Sequence, residues 1–293
     1  MGLGEIPLCA SASGGVISRP TFLMCSPKLY EVNYVINPWM KGNVHCSDRG
    51  RAMAQWGQLH RALTKIAQVE LLEPQPGSPD MVFTANAGLV HRGMVALSSF
   101  LHPERQGEEA HFRRWFGESG FRMSTIPRET PFEGEGDALF EADGSRLWAG
   151  HGIRSRESSH RHLSETWNIE VISLRLTDPR FYHLDTCFCP LFRGYLMYFP
   201  QAFDTESIAK IETRYPEEKR IPVSEPDALR FACNAVNVGR VILVNSVSSQ
   251  LSEELEKRGF RVVQVPLTEF LRAGGAAKCL VLRLSEMQVT HQA

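Results

Sequence analysis

Short apolar runs, each followed by a turn or by an amphipathic stretch, recur along the whole chain. This alternation is typical of α/β and α+β architectures, because the runs form strands and the amphipathic stretches cover them. No run approaches the roughly twenty apolar residues of a membrane-spanning helix, so no membrane partner is expected. The predicted strands are Thr21–Cys25, Tyr34–Ile36, Met81–Phe83, Met94–Leu97, Leu147–Ala149, Val171–Leu174, Tyr195–Tyr198, Val241–Val244, Val262–Val265 and Leu280–Leu284.

Amphipathic helices are predicted between these strands. From Arg49 to Gln68, apolar residues recur at three- and four-residue spacing, with Arg, Gln and Lys on the opposite face. Glu108–Ser119 and Ser249–Gly259 show the same pattern, and the second begins with serines suited to N-capping. No linker or charge run divides the chain after residue 19, so we predict a disordered or extended tail over 1–19 and a single domain over 20–293.

Charge and cysteine content exclude several classes of protein. The 32 Lys and Arg residues nearly balance the 33 Asp and Glu residues, so no long-range field would collect nucleic acid or acidic lipid. Seven cysteines among 293 residues do not resemble the dense, even framework of a small secreted module. The first eighteen residues lack the basic and apolar regions of a secretory signal. We therefore expect reduced thiols and a cytoplasmic protein.

Polar segments of similar character return along the chain at intervals of roughly 40 to 55 residues, as a supersecondary unit used several times would require. An ordinary α/β protein also returns to a strand at about this interval, so the spacing alone leaves true repetition open. The segments are Asp80–Asn86, Glu133–Asp137, His183–Asp185, Asn234–Asn237 and Gly274–Cys279.

Phosphate, dinucleotide and metal chemistry are poorly supported. Gly134-Glu-Gly136-Asp137 resembles half of a dinucleotide fingerprint, but its acids lie where a pyrophosphate would bind. Cys187 and Cys189 have no second Cys or His pair at zinc-finger spacing. We predict neither a metal nor a cofactor.

Acidic residues occur within otherwise apolar or glycine-rich segments. A lone buried carboxylate is destabilising by several kcal/mol unless a cation or several donors meet it. Each acid alone is more often a turn residue, but several at the ends of successive strands predict a pocket for a cation. A planar guanidinium matches two carboxylates through paired hydrogen bonds. The acids are Asp80, Glu133, Glu135, Asp137 and Asp185.

Two further residues have the chemistry that such a pocket needs. Cys279 lies where a glycine-rich loop enters an apolar strand, and a nearby cation, either Lys278 or the substrate, would favour its thiolate. Burial as a small apolar residue is the alternative for Cys279. A histidine can act as both acid and base near neutral pH. His183 is two residues from Asp185, so on an extended strand both side chains would leave on one face.

These residues lie in motifs that resemble those of the guanidino-group-modifying superfamily of arginine deiminases, dimethylargininases and amidinotransferases. Longer stretches resemble the arginine dihydrolase module, which some bacteria fuse to an ornithine cyclodeaminase, and the similarity runs from about Pro20 to about Leu284. Because the chain ends at Ala293, we do not expect it to form proline. The motifs are Phe22-Leu-Met-Cys-Ser-Pro27, Tyr34-Val-Ile-Asn-Pro-Trp-Met40, Asp80-Met-Val-Phe-Thr-Ala-Asn86, Leu101-His-Pro-Glu-Arg105, Phe132-Glu-Gly-Glu-Gly-Asp137, His183-Leu-Asp-Thr-Cys187, Thr268-Glu-Phe-Leu-Arg272 and Gly274-Gly-Ala-Ala-Lys-Cys279.

The resemblance implies an α/β fold, a five-bladed pentein propeller with pseudo-fivefold repeats around a central active-site pocket. It implies Cys279 as the nucleophile and His183 as the general acid and base. Asp80, Glu133 and Asp185 would hold the guanidinium or orient His183.

At the amino-acid end of the substrate, the resemblance implies that Arg105 and Arg154 meet the α-carboxylate. Asn37 and the backbone of Ala273 would line the same end. Asn86 would support a second round of hydrolysis, because dihydrolases are similar to this sequence in having Asn at that position.

We therefore expect an arginine dihydrolase that acts on L-arginine or a close guanidino analogue, with a homo-oligomer left open. The nearest alternative is a deiminase or a dimethylargininase, which uses the same Cys and His for one hydrolysis. A non-enzymatic arginine-binding protein would need one of these two residues to be missing, and both are present.

Overall fold

The structure is a computed structural model that describes residues 16–17, 19–141, 144–285 and 289–290. In these ranges the strands are β1 (Val16–Ile17), β2 (Thr21–Cys25), β3 (Gln68–Leu72), β4 (Gly88–His91), β5 (Met94–Leu97), β6 (Arg122–Thr125), β7 (Ala138–Phe140), β8 (Leu147–His151), β9 (Val171–Arg175), β10 (Phe188–Leu191), β11 (Tyr195–Tyr198), β12 (Arg220–Pro222), β13 (Val236–Val238), β14 (Val241–Val244), β15 (Arg261–Gln264), β16 (Leu282–Ser285) and β17 (Val289–Thr290). The α-helices are α1 (Arg49–Thr64), α2 (Pro103–Gln106), α3 (Glu108–Glu118), α4 (Ser159–Trp167), α5 (Thr205–Arg214), α6 (Glu225–Ala228), α7 (Ser249–Lys257) and α8 (Thr268–Leu271).

One three-stranded unit occurs five times. In four of these units the first two strands form an antiparallel hairpin, and in all five a helical connection then leads from the second strand to a third strand parallel to it. The sheet orders are β16-β2-β3, β4-β5-β6, β7-β8-β9, β10-β11-β12 and β13-β14-β15. Five units of one order confirm the predicted pentein propeller and its pseudo-fivefold repetition.

The first sheet joins the two ends of the chain. Strand β16 runs antiparallel to β2, with Leu282 opposite Leu23, and β2 runs parallel to β3. Beyond that sheet, Val16 in β1 pairs with Thr290 in β17. The remainder of the predicted tail over 1–19, apart from Arg19, lies outside the described residues.

The predicted helices form for the predicted reasons. In α1, the Asp48 side chain caps the first turn by accepting from the Arg51 N–H, and the apolar face is buried. This helix ends at Thr64, before the predicted Gln68, because Gln68 begins β3 and pairs with Thr21. In α7, Ser248 caps the first turn as the serine pattern indicated. No helix in the described ranges has the length and apolar character needed to cross a bilayer.

Two predicted strands are wrong. Tyr34–Ile36 is an irregular segment. Met81 and Val82 lie in a 3-10 turn over Pro79–Val82, and Phe83 follows it. Pro79 favours the start of such a turn, and the Phe83 N–H donates to the Asp80 carbonyl at 2.9 Å.

Short turns of this kind precede the first strand of several sheets, and they determine where the polar motifs lie. They cover Thr84–Ala87 before β4, Gly134–Gly136 before β7 and Leu184–Thr186 before β10. The polar segments therefore lead into strands from one end of each sheet. The repetition of this arrangement brings side chains from successive units to the centre of the ring.

Candidate active site

A cavity of about 270 Å³ lies at this centre. Seven of the ten predicted site residues line it. Glu133 and Asp185 are hydrogen-bonded to the lining residues Arg154 and Cys279, and His183 is joined to the lining through Glu133. The lining residues are Ile36, Asn37, Met40, Asp80, Phe83, Asn86, Arg105, Arg154, Tyr182, Ala273 and Cys279.

Cys279 is buried at the end of the glycine-rich loop. Its Sγ lies 3.3 Å from Asp185 Oδ2 and 3.1 Å from Asn234 Nδ2. Burial, followed by the charge of Asp185, raises the pKa of the thiol well above its ordinary value. Lys278 is not the activating cation, because its Nζ binds Glu135 Oε2 at 2.7 Å. The other cation expected to favour the Cys279 thiolate is the substrate.

Two buried carboxylates each keep one oxygen without a hydrogen-bond partner among the described residues. Asp80 accepts from the Tyr34 hydroxyl through Oδ2 at 2.9 Å, and its Oδ1 is unpaired. Asp185 contacts Cys279 through Oδ2, and its Oδ1 is also unpaired. Burial raises the pKa of both groups, that of Asp185 to about 7. A cation with several N–H donors would satisfy both carboxylates.

His183 is held by Glu133. Its Nε2 lies 2.7 Å from Glu133 Oε2, and both side chains are almost fully buried. The expected extended strand from His183 to Asp185 is wrong, because His183 is the last extended residue before the turn over Leu184–Thr186. The turn separates the two side chains, so that His183 binds Glu133 while Asp185 contacts Cys279.

Arg105 is fixed by neighbours on its own helical segment and on the turn before β4. Glu108 binds it twice, through Nε at 3.0 Å and Nη2 at 2.8 Å. Arg105 Nη1 donates to Asn86 Oδ1 at 2.8 Å, and Nη2 donates to the Asp80 carbonyl at 3.1 Å. Burial raises the pKa of Glu108 to about 7, although Arg105 opposes this.

Arg154 links the irregular segment before α1 to Glu133, which immediately precedes the turn over Gly134–Gly136. Its Nη1 donates to Glu133 Oε2 at 2.9 Å, its Nη2 donates to the Ile36 carbonyl at 2.9 Å, and its guanidinium lies over the Tyr182 ring. Asn37, next to Ile36, donates to the Ala273 carbonyl at 2.9 Å. These contacts place both residues in the wall of the cavity.

Asn86 lies between Arg105 and the backbone of Glu133 and hydrogen-bonds to both. It accepts from Arg105 through Oδ1 and donates from Nδ2 to the Glu133 carbonyl at 3.1 Å. Gly136 permits this close packing, because a Cβ at that position would overlap Asn86 Nδ2 and lie 3.3 Å from His183 Cγ. The glycine in this motif thus serves side-chain packing rather than the binding of a phosphate.

Sequence reasoning missed Tyr34 and Tyr182, which contact Asp80 and Arg154, and also Asn234 and Glu108. Asn234 contacts Cys279, and its signal was present as the first residue of the fourth recurring polar segment. Glu108 is the buried partner of Arg105, and the three-residue helical spacing between them was the available signal.

The sequence matches the family described as N,N dimethylarginine dimethylhydrolase, eukaryotic, over residues 29–286. It is 58% identical over 264 residues to the bifunctional arginine dihydrolase/ornithine cyclodeaminase ArgZ of Synechocystis sp., which covers 90% of this chain and 37% of that protein. It is 35% identical over 264 residues to the N(G),N(G)-dimethylarginine dimethylaminohydrolase of Mycobacterium tuberculosis, with 90% and 85% covered. This chain thus spans little more than a third of the length of ArgZ.

Solved structures agree with the fold. The crystal structure of the N-terminal domain of ArgZ bound to product matches with a TM-score of 0.91 at 56% identity, covering 92% of this chain and 98% of that one. A dimethylarginine dimethylaminohydrolase adduct with S-methyl-L-thiocitrulline matches with a TM-score of 0.76 at 19% identity and shares the fold. With a family match over most of its length, and with Cys, His and carboxylates gathered around one cavity, the chain belongs to the N,N-dimethylarginine dimethylhydrolase family of guanidino-modifying hydrolases.

Proposed function

We propose that residues 20–293 form a single catalytic domain, an arginine dihydrolase that converts L-arginine to L-ornithine, two ammonia and CO2. The observation that carries this proposal is the pair of buried carboxylates, Asp80 and Asp185, each with an unpaired oxygen and one of them in contact with Cys279. A guanidinium between them would supply the missing donors and bring its carbon to the thiol.

The other end of the cavity suits an amino acid. We assign the substrate α-carboxylate to Arg105 and Arg154, whose carboxylate partners Glu108 and Glu133 fix their orientation before the substrate binds. We assign the rest of the amino-acid end to Asn37 and the Ala273 backbone, which are already joined by a hydrogen bond.

In the first step, His183 takes the thiol proton of Cys279 and the thiolate attacks the guanidinium carbon. The bound cation favours this ionisation, since burial otherwise raises the pKa of the thiol. His183 then returns the proton to one amino group, which leaves as ammonia. The product of this step is a cationic amidino group on Sγ.

Two molecules of water complete the reaction. His183 deprotonates the first, which adds to the amidino carbon, and a second ammonia leaves to give a thiocarbamate on Sγ. The second water then displaces the thiolate and releases a carbamate, which loses CO2 to give ornithine. Because Nε2 of His183 is bound to Glu133, Nδ1 is the nitrogen that we expect to exchange these protons.

Asn86 is the residue to which we assign the choice between one and two hydrolyses. It lies between Arg105 and the Glu133 carbonyl, on the same cavity as Cys279. In ArgZ, an asparagine-to-serine variant was crystallised with a covalently bound reaction intermediate. We infer that Asn86 keeps the adduct in place for the second loss of ammonia.

A dimethylargininase is the second candidate, because the family match and the Mycobacterium tuberculosis relative both have that activity in their names. The greater identity to ArgZ, 58% against 35%, favours the dihydrolase.

Counting ammonia per arginine consumed tests the proposal. Two ammonia with ornithine are expected. One ammonia with citrulline would identify a deiminase instead, and turnover of methylated arginine alone would identify a dimethylargininase.

The Cys279→Ser variant tests the nucleophile. It should bind arginine, as measured by calorimetry, and release no ammonia. Cys46→Ser is the matched control and should retain full activity, because Cys46 is exposed, its Sγ lies beside the Gly42 and Val44 carbonyls, and it does not line the cavity. Full activity of Cys279→Ser would contradict the assignment.

A further inference from the structure

We propose that Asn234 is a catalytic residue that stabilises the Cys279 thiolate through a hydrogen bond from its side-chain amide. The inference rests on the proposed role of Cys279 as nucleophile. Asn234 is completely buried, and its Nδ2 lies 3.1 Å from Cys279 Sγ. A donor at this distance interacts more strongly with a charged sulfur than with a neutral one.

The orientation of the amide follows from its other contacts. Asn234 Oδ1 accepts from the backbone N–H groups of Ala276 at 3.0 Å and Cys279 at 3.2 Å. Both partners are donors, so the atom that faces them must be the amide oxygen. The amide NH2 group therefore faces Sγ, and it also donates to the Asp185 carbonyl at 3.2 Å.

Two side chains contact Sγ, and they favour opposite protonation states. Asp185 Oδ2 accepts from the thiol and repels a thiolate, whereas Asn234 donates and favours the thiolate. When a guanidinium occupies Asp185, the Asn234 amide is the side-chain donor that still acts on the sulfur, beside the backbone N–H of Ala276. The pair thus holds a neutral thiol before substrate binds and a thiolate afterwards.

Other charged or titratable groups near Cys279 have partners of their own or face the cavity. Lys278 binds Glu135, and the Tyr182 hydroxyl donates to the Gly274 carbonyl at 2.8 Å. Asp80, Arg105 and Arg154 line the cavity with the sulfur, and His183, the proposed base, is held through Nε2 by Glu133. Among the described residues, none of these charged or titratable groups supplies the hydrogen bond that Asn234 donates to Cys279 Sγ.

The place of Asn234 in the repeat supports this role. The polar segments before β4, β7, β10 and β16 contain Asn86, Glu133, His183 and Cys279, respectively. Asn234 occupies the corresponding segment before β13. The fifth unit, like the other four, therefore places a polar side chain at the active site.

Two variants of similar shape distinguish the donor role of the Asn234 amide NH2 group from the acceptor role of its oxygen. Asn234→Asp keeps an oxygen for the Ala276 and Cys279 N–H groups but loses the donor to Sγ. Asn234→Leu is neutral and loses both functions, and Asn234→Ala replaces it if the leucine variant does not fold. Asn245→Asp is the matched control. Asn245 is also buried; its amide donates to the Arg230 carbonyl and accepts from the Leu267 N–H, and these contacts do not involve Cys279.

The readout is the alkylation rate of Cys279 by 2-chloroacetamidine near neutral pH, measured by mass spectrometry of the peptide. The planar amidinium of this reagent is a small analogue of a guanidinium. Saturation kinetics separate the limiting rate from reagent binding, and exposed Cys46 is an internal standard in every sample. We expect both Asn234 variants to lower the limiting rate about tenfold or more, whereas Asn245→Asp leaves it unchanged.

Several outcomes would overturn the proposal. A wild-type limiting rate in Asn234→Asp would mean that the residue serves only to hold the loop. A decrease confined to Asn234→Asp would mean that the new charge, and not the lost donor, acts on the sulfur. Failure of the wild-type protein to react at Cys279 would mean that no thiolate forms there. Arginine turnover is measured separately, so failure of the proposed dihydrolase activity would be recognised independently of these rates.

Discussion

Glu133 Oε2 accepts a hydrogen bond from His183 Nε2 at 2.7 Å. The same oxygen lies 2.9 Å from Arg154 Nη1, so one carboxylate oxygen orients both the proposed base and a proposed substrate-binding cation. Burial acts to raise the pKa of Glu133, but Arg154 and His183 outweigh it and hold that pKa well below its usual range. Glu133 is therefore ionised at neutral pH and holds His183 with Nε2 as the donor.

The Glu133→Gln variant should lose at least about a hundredfold in kcat, the range expected for general acid–base catalysis. The amide has the same shape, but its NH2 group would face Arg154, His183 or the Leu101 N–H, which are all donors to the carboxylate. Steady-state kinetics with arginine check this expectation. Glu141→Gln is the control, because Glu141 binds Arg146 and Trp148 outside the cavity. A kcat for Glu133→Gln within twofold of the control would contradict the role given to Glu133.

Gly136→Ala should abolish most activity although it adds a single methyl group. The new Cβ would overlap Asn86 Nδ2 and lie 3.3 Å from the His183 ring, so both proposed catalytic side chains would have to move. A displacement of about 1 Å in such residues can lower the rate roughly a hundredfold. Gly107→Ala is the control, because no atom lies within 4 Å of its added Cβ, and it should leave the rate unchanged. Near-normal activity of Gly136→Ala would show that the site tolerates the shift.

Sequence reasoning predicted the fold well where a strand is apolar throughout. β5, β11 and β14 have the predicted bounds, because Met94–Leu97, Tyr195–Tyr198 and Val241–Val244 are unbroken hydrophobic runs. β3 was missed because Gln68–Leu72 is largely exposed and mixes polar with apolar residues. β10 was missed because Pro190 interrupts its pattern.

The site was predictable as a set of residues but not as a set of contacts. The recurring polar segments indicated which side chains could meet, and the resemblance to a known family indicated what they could do. Local spacing could not reveal that Lys278 turns toward Glu135, or that Asn234, 45 residues from Cys279, lies beside its sulfur. These contacts depend on the closure of the ring, a long-range property that no local pattern contains.

Glu269→Gln should weaken substrate binding more than it slows catalysis. Glu269, in α8 just before the glycine-rich loop that ends at Cys279, accepts from the Asp48 N–H at 3.0 Å and binds Arg51 at 3.2 Å. It thus anchors the segment between β2 and α1, which contains Asn37. Loss of the charge should raise KM several-fold and lower the free energy of unfolding by about 1–3 kcal/mol. Kinetics and denaturant unfolding check both values, and Glu225→Gln, at an exposed ion pair with Arg180, should change neither.

Asp185→Asn should abolish activity and at the same time stabilise the protein in the absence of substrate at alkaline pH. Burial raises the pKa of Asp185 to about 7, although Lys278 opposes this, whereas an aspartate in an unfolded chain titrates near 3.9. Between about pH 4 and pH 7 the folded state therefore holds a proton that the unfolded state has lost. The stability linked to this proton is complete below the unfolded value and is lost as the pH rises through 7.

Asp137 contributes in the same direction, because burial raises its pKa to about 6. The melting temperature of the wild-type protein without arginine should therefore decrease between pH 5 and pH 8, and Asp185→Asn should remove part of that decrease. At pH 8 the variant should be more stable by about 1–3 kcal/mol, since it no longer buries an unpaired charge. Calorimetry at the two pH values measures the difference, with Asp48→Asn as an exposed control, because asparagine caps the first turn of α1 as well as aspartate does. A variant less stable than the wild type at pH 8 would show that Asp185 stabilises the fold, and that its unpaired oxygen is not held ready for a cation.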